Sequence, residues 1–339
     1  MTAAPNASTL KPGEVFDSRY QVLGLLGRGG MAEVLHCRDL KTDQRVALKL
    51  LALNYRSSED HRLRLRREAE IAAAVSHPNV VQILHIGQTS MGDPYLVMEL
   101  LIGETLRDFI DREGAMQADR ALPFIREAAA GLAAMHTKGI IHRDVKPNNL
   151  FLCGPTGQPT HLKVFDFGFA RVQSRKRSQG QVLGTLEYMA PEQVVSDPTD
   201  ARADIYSLGV VMYLALTNEL PFDLASAKDL LAHQLISAAP PPSWLIPDFD
   251  PRLEAVILGC IRKHPDNRYA TMDAVLADID SILADGPVVG APQVKEPDVY
   301  EPQSDLGQRA LRMLQRRQEP DYNSTAPPPV ARTNADGSN

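Results

Sequence analysis

Residues 140–150 set a polar loop between two apolar runs: Ile140-Ile141-His142-Arg143-Asp144-Val145-Lys146-Pro147-Asn148-Asn149-Leu150. Apolar flanks tie such a segment to a core at both ends, so its polar side chains are presented from a rigid support. Asp144 could accept a proton or orient a hydroxyl, and Lys146 could neutralise a phosphate. Asn149 offers an amide oxygen to a hard cation such as Mg²⁺. A charged surface loop after a helix is the plainer alternative. Seventeen residues beyond Asn149, the run Leu162-Lys163-Val164-Phe165 ends in Asp166-Phe167-Gly168. A carboxylate at a strand end, before a glycine that frees the backbone, suits a second metal ligand.

With that pair in view the chain resembles the protein kinases, specifically the bacterial eukaryotic-type (Hanks-type) serine/threonine kinases. The resemblance covers about residues 20–284. It implies an α+β, two-lobed protein-kinase-like fold. A small, mainly antiparallel-sheet N-lobe would span about 16–101 and a larger helical C-lobe about 102–285. Residues 1–15 read as a disordered N-terminus.

Composition narrows the class further. The chain has 339 residues and a mild net charge of −6, which does not give the strongly basic face of a nucleic-acid binder. Cys37, Cys153 and Cys260 lie far apart with no paired spacing, as expected of reduced thiols and not of a disulfide framework or zinc site. Met1 to Pro12 holds no apolar stretch of signal-peptide length. The longest mostly apolar run, Ile205 to Leu216, falls short of the roughly 18–20 residues a membrane span needs. The expectation is a cytoplasmic protein without a membrane span.

Tyr20 to Leu26 and Val34 to Cys37 have strand character and flank Gly27-Arg28-Gly29-Gly30-Met31-Ala32-Glu33. Glycines between two strands let backbone N–H groups approach phosphates, although a plain glycine hairpin reads the same way. The resemblance makes Leu26, Gly27, Arg28, Gly29, Gly30, Met31, Ala32, Glu33 and Val34 the nucleotide-covering loop, with Val34 against the adenine. Ala32 stands where the family usually has its third glycine, which implies altered loop flexibility with nucleotide binding kept. A lysine inside the apolar strand Val46-Ala47-Leu48-Lys49-Leu50-Leu51 is costly unless paired, or unless the strand is an edge with Lys49 turned to solvent. By resemblance Lys49 holds the α- and β-phosphates and is positioned by Glu68, with Glu70 the alternative partner. Further strands are expected at 80–86 and 95–100. Met98 would back the nucleotide pocket, and Glu99 to Leu101 would contact adenine through backbone groups.

From Gly103 the pattern turns helical, at 105–112 and at 119–136, where Ala, Leu and Ile recur at three- and four-residue spacing. His142 is expected to brace Asp166 and the central loop, and Asp204 to hold that loop's backbone from beneath or simply to cap its own helix. Residues 169–183 would form the activation segment. Ser178, ahead of Ser174, is the expected self-phosphorylation site beside Arg175-Lys176-Arg177, and Arg143 is a cation that could hold the phosphate. A solvated basic loop is the alternative there. The resemblance also implies that Thr185 hydrogen-bonds Asp144 and Lys146, and that Glu192 of Ala190-Pro191-Glu192 pairs with Arg268. Helices should follow at 205–216, 226–237, 251–262 and 271–284.

Residues 286–339 are proline-rich and polar and read as a disordered tail. One island at 304–318, where Leu306, Leu311 and Leu314 lie among arginines, could form an amphipathic helix docking on the kinase, a partner or an acidic surface, with a transient, solvated helix as the alternative. The resemblance implies transfer of the γ-phosphate of Mg-ATP to Ser/Thr hydroxyls of proteins, including the chain itself, and allows a homodimer. ATP and Mg²⁺ would be the cofactors. Asn149 and Asp166 would bind the metal, Asp144 would orient the hydroxyl, and Lys146 would steady the γ-phosphate. Lys146 with Gly184-Thr185 matches the Ser/Thr class. A pseudokinase scaffold would lack one of Lys49, Asp144 or Asp166. A small-molecule phosphotransferase would lack the Thr185 and Ala190-Pro191-Glu192 segment, which by the resemblance docks peptides. None of these residues is missing.

Overall fold

The computed structural model describes residues 10–28, 32–51, 73–89, 92–166, 186–222, 227–292, 298–304 and 308. Six strands come first: β1 (Val15–Phe16), β2 (Tyr20–Arg28), β3 (Ala32–Asp39), β4 (Arg45–Leu51), β5 (Ile83–Gln88) and β6 (Pro94–Glu99). They form one antiparallel sheet in the order β1-β2-β3-β4-β6-β5. Side chains alternate along each strand. Leu35, Cys37, Val46, Leu48 and Leu50 therefore share one buried face with Tyr20, Val22, Tyr95 and Val97, and Lys49 projects from the other. In register, Lys49 lies between Val34 and Leu96. Its strand is central and its side chain only 18% exposed, so the edge-strand alternative is excluded.

At Gly103 the chain crosses into a second sheet, β7 (Gly103–Thr105), β8 (Leu150–Cys153) and β9 (His161–Val164). Gly103 has φ +146°, and a Cβ there would meet the Leu152 carbonyl oxygen at 2.0 Å, so only glycine fits. β7 is three residues long, too short to show a period, and the sequence reading placed it at the head of a helix.

Seven helices follow among the described residues: α1 (Leu106–Glu113), α2 (Ala118–His136), α3 (Pro191–Val194), α4 (Arg202–Thr217), α5 (Ala227–Ile236), α6 (Pro251–Cys260) and α7 (Met272–Leu283). Thr105 caps α1 in a capping box with Asp108. The residues from Ala203 to Leu216 of α4 are all buried, which explains why that stretch is apolar without a clear stripe. α2, α6 and α7 pack around it in one continuous core that also takes in Leu150, Leu152 and Val164. Segment 79–81 lies close against α2, and a Cβ on Gly131 would meet the Asn79 carbonyl at 2.6 Å. Val81 N–H then donates to the Val164 carbonyl at 2.9 Å, fixing the first sheet's connection to β9.

The expected helices and strands that fall on described residues are present with ends shifted by a few residues, and most of the helix expected over 60–75 lies outside the described residues. The tail differs. Gly290 N–H donates to Asp278 at 3.0 Å, and residues 298–304 pack on the helical lobe with Tyr300 only 3% exposed. The expectation of disorder over 286–339 is thus corrected for 286–292 and 298–304. Their partners are far away in sequence, so a proline-rich composition does not reveal them. Of the island at 304–318, only Ser304 and Gln308 are described, joined by a Gln308 N–H bond to the Ser304 carbonyl at 2.9 Å. Among the described residues no helix is long and apolar enough to cross a membrane.

Candidate active site

The loop after α2 is held in shape by a buried carboxylate. Asp204, in the first turn of α4 and fully buried, accepts the N–H groups of His142 and Arg143, each at 2.8 Å, and contacts His136 Nε2 at 2.8 Å. Three partners make it much more than the cap of its own helix. The bonds hold Arg143 at φ +64°, a left-handed conformation costly for a side chain with a Cβ and maintained only by its surroundings. Gln193 of α3 adds a bond from Nε2 to the Arg143 carbonyl at 3.1 Å.

That turn brings the polar side chains together. Asp144 Oδ2 accepts from Lys146 Nζ at 2.9 Å and from Asn149 Nδ2 at 3.1 Å. Asn149 also donates to the Asp144 carbonyl at 2.8 Å, which fixes the amide's orientation and leaves its oxygen for another role. Val145 and Pro147 are buried beneath, so the loop is anchored between its polar residues.

Asp166 is delivered from the other side. Phe165 N–H donates to the Asn149 carbonyl at 3.1 Å, and the Phe165 carbonyl meets His142 Nε2 at 3.2 Å. His142 Nδ1 accepts the Asp144 N–H at 3.2 Å. The histidine thus braces the loop and the residue before Asp166, as expected. Asp166 itself is left-handed, at φ +56°. Its Oδ1 pairs with Lys49 Nζ, reached across the cleft from β4. Burial pushes the Asp166 carboxyl up, but Lys49, with His142 and Lys146 nearby, outweighs this and holds it below the usual carboxylate range.

The structure therefore gathers Lys49, Asp144, Lys146, Asn149 and Asp166 into one cleft between the lobes. At the mouth, Gly27 pairs with Val34 in register, and Arg28 Nε and Glu33 Oε1 form an ion pair at 2.9 Å. Ala32 begins β3, and Leu26 is half exposed. Glu99 is already engaged: its N–H donates to the Gln82 carbonyl at 3.0 Å, and its carboxylate takes Gln82 N–H at 2.8 Å and Lys163 Nζ at 2.7 Å. Any adenine contact by Glu99 is then through its carbonyl. Leu101 packs its side chain on the main core. Glu192 and Arg268 form the expected ion pair, two bonds of 2.8 Å, both side chains essentially buried. Gly29, Gly30, Met31, Glu68, Glu70, Ser174, Ser178 and Thr185 lie outside the described residues.

The sequence reading did not single out Gln193, Lys163 or Gln234. Lys163 was marked only by being polar in an apolar strand. Gln193 and Gln234 are ordinary glutamines whose partners lie far off in sequence.

Comparisons with known proteins bear on the fold and the family. The model of the protein kinase domain family matches residues 20–278. The serine/threonine-protein kinase PknB of Mycolicibacterium smegmatis is 39% identical over 284 residues, covering 81% of this chain and 44% of that protein. The serine/threonine-protein kinase pkn3 of Myxococcus xanthus is 34% identical over 278 residues, 80% of this chain and 51% of that one. The chain thus spans about half the length of the curated relatives it matches. A crystal structure of the Mycobacterium tuberculosis PknI kinase domain is similar with a TM-score of 0.64 at 25% identity, covering 82% of this chain and 100% of that one. A two-lobed cleft carrying this cluster, a family match over most of the chain and relatives of this kind lead to one conclusion: the chain belongs to the protein kinase family, in its bacterial eukaryotic-type serine/threonine branch.

Proposed function

We propose that the chain is an ATP-dependent serine/threonine protein kinase acting on protein hydroxyls, its own included, in cytoplasmic signal transduction. The observation that carries this reading is the Lys49–Asp166 pair closing the cleft over Asp144, Lys146 and Asn149. Phosphoryl transfer asks a protein mainly for positioning and charge neutralisation. Lys49 would hold the α- and β-phosphates, with Glu68 as its second partner. The loop from Leu26 to Val34 would cover the nucleotide, and the carbonyl of Glu99 and the backbone of Leu101 would meet the adenine.

The donor set fits Mg²⁺. Asn149 uses its amide nitrogen within the loop and keeps its oxygen for the ion, and Asp166 is an ionised carboxylate, so both donors are hard oxygens. Bound there, Mg²⁺ would supply charge neutralisation at the phosphate oxygens. Asp144 orients the substrate hydroxyl and takes its proton. Lys146, bonded to Asp144, stands where it can steady the transferring phosphoryl group and restrain the carboxylate. Thr185 would join that pair, and Arg143, exposed beside it, could hold a phosphate on Ser178 or Ser174.

The test is incubation with labelled ATP and Mg²⁺, alone and with a generic basic protein, followed by mass-spectrometric mapping. Phosphate on serine or threonine, with Ser178 among the sites, is the expected result. Incorporation on tyrosine alone would contradict the class. Nucleotide binding with no incorporation would favour a scaffold.

A further inference from the structure

After α7 the chain returns to the helical lobe and lays residues 298–304 across it as a strap. Tyr300 inserts among Val195 and Leu235, with Val194 and Ile236 alongside. Its N–H donates to the Leu235 carbonyl at 2.9 Å, one of the last carbonyls of α5, which have no partner within the helix. Its hydroxyl donates to Asp197 Oδ2 at 2.9 Å. The same carboxylate takes Gln303 N–H at 2.7 Å and Ser304 N–H at 3.0 Å, so one buried aspartate anchors the strap at three points. At the other end Asp298 accepts Lys263 N–H at 3.1 Å on each oxygen. Lys263 Nζ in turn donates to the His233 carbonyl of α5 at 3.2 Å.

The flank of α5 beside the strap has a second tenant. Gln234 Nε2 donates to the Leu186 carbonyl, and Leu186 packs with Leu230 and Phe222. Leu186 follows Thr185 directly and leads through Ala190 into α3. The turn that carries Asp197 is tied to the same stretch, since Asp197 N–H donates to the Glu192 carbonyl at 2.9 Å. The strap therefore grips both supports of residues 186–190: α5 on one side and the end of α3 on the other. Those partners lie in the helical lobe, apart from the Lys49, Asn149 and Asp166 cluster.

We propose that residues 298–304 position the segment 186–190 for docking of the protein substrate, with Tyr300 and Asp197 as the positioning residues. The proposal rests on the kinase reading above. With the strap seated, α5 holds Leu186 and the adjoining backbone in one arrangement. With it unseated, docking of the protein substrate weakens while the nucleotide site keeps its geometry.

The experiment uses the full chain carrying Tyr300→Ala or Tyr300→Phe. KM for a protein substrate that the wild type phosphorylates and KM for ATP are measured for each. Amide hydrogen exchange is followed over residues 186–195 and 230–236. Tyr300→Ala should raise KM for the protein substrate about tenfold, the usual scale of coupling between sites, and leave KM for ATP within about twofold. Exchange over both stretches should quicken. Tyr300→Phe, which keeps the buried ring and loses only the bond to Asp197, should recover most of both effects. Equal changes in both KM values, or unaltered exchange at 186–195 in Tyr300→Ala, would overturn the proposal. Absence of transfer by every variant, wild type included, would contradict the kinase reading, and the exchange comparison alone would then decide whether the strap supports 186–190.

Discussion

Lys49 and Asp204 show how much of this site depends on charges placed where a neutral residue would pack more easily. Lys49 interrupts a central apolar strand and is balanced across the cleft by Asp166. Lys49→Met removes the cation and keeps the stem, so we expect γ-phosphate transfer to fall by at least about a hundredfold. The thermal midpoint should stay within a few degrees of wild type; near-normal turnover would remove Lys49 from the mechanism. Asp204 accepts the N–H groups of His142 and Arg143 from beneath the loop. Asp204→Ala strands the donors of His142, Arg143 and His136, each at a cost of about 1–3 kcal/mol. Asp204→Asn keeps an acceptor, so it should lose less in a denaturant titration; equal losses would argue against the carboxylate's bridging role. That Asp144, Lys146, Asn149 and Asp166 would come together was legible in the sequence because each stands beside an apolar residue at the edge of an apolar run. The tie from Gln193 to the Arg143 carbonyl was not, because a glutamine on a short helix carries no mark of a partner fifty residues away.

At the scale of elements, the buried Glu192–Arg268 pair fastens α3 to the loop after α6. Arg268 also donates to the carbonyls of Arg202, Arg262 and Lys263, which leaves its guanidinium little freedom. Breaking such a pair from one side leaves an uncompensated buried charge, so Glu192→Gln should destabilise the chain by about 3–5 kcal/mol. A loss under 1 kcal/mol in chemical denaturation would show that water reaches the pair. The long helices and the strands of the first sheet could be read from period and capping residues. Two short elements could not: β7 spans three residues and α3 four, below the length at which a period appears. The strap escaped for a different reason. Asp298 and Tyr300 sit in a stretch whose proline and charge content argues for disorder, and only tertiary partners order them.

Over the whole molecule, the main core of the helical lobe extends past α7 to Val288 and Ala291, the strap adds a smaller cluster around Tyr300, and Lys263 lies fully buried. Burial pushes its ammonium well below the usual lysine range; Asp298 opposes this and Arg268 adds to it. In the unfolded chain the lysine keeps its proton up to about pH 10.4, and in the folded chain it loses it earlier. Between those two values the unfolded state binds more protons, so this residue makes stability rise with pH across that window and fall as pH is lowered through it. Lys263→Met removes the dependence. We therefore expect its thermal midpoint relative to wild type to be higher at pH 7 than at about pH 10. A difference that grows with pH would contradict the assignment.

The central claim is that this cleft transfers phosphate and that Asp144 is the group that orients the accepting hydroxyl. The most direct measurement compares wild type with Asp144→Asn in a single-turnover transfer from labelled Mg-ATP, with nucleotide affinity measured on the same samples. Asparagine keeps an acceptor for Lys146 and Asn149, so the loop and the binding of ATP should be preserved. Transfer should drop by about a hundredfold or more, the scale of a lost general base. Equal transfer rates in the two proteins at matched nucleotide occupancy would contradict the account.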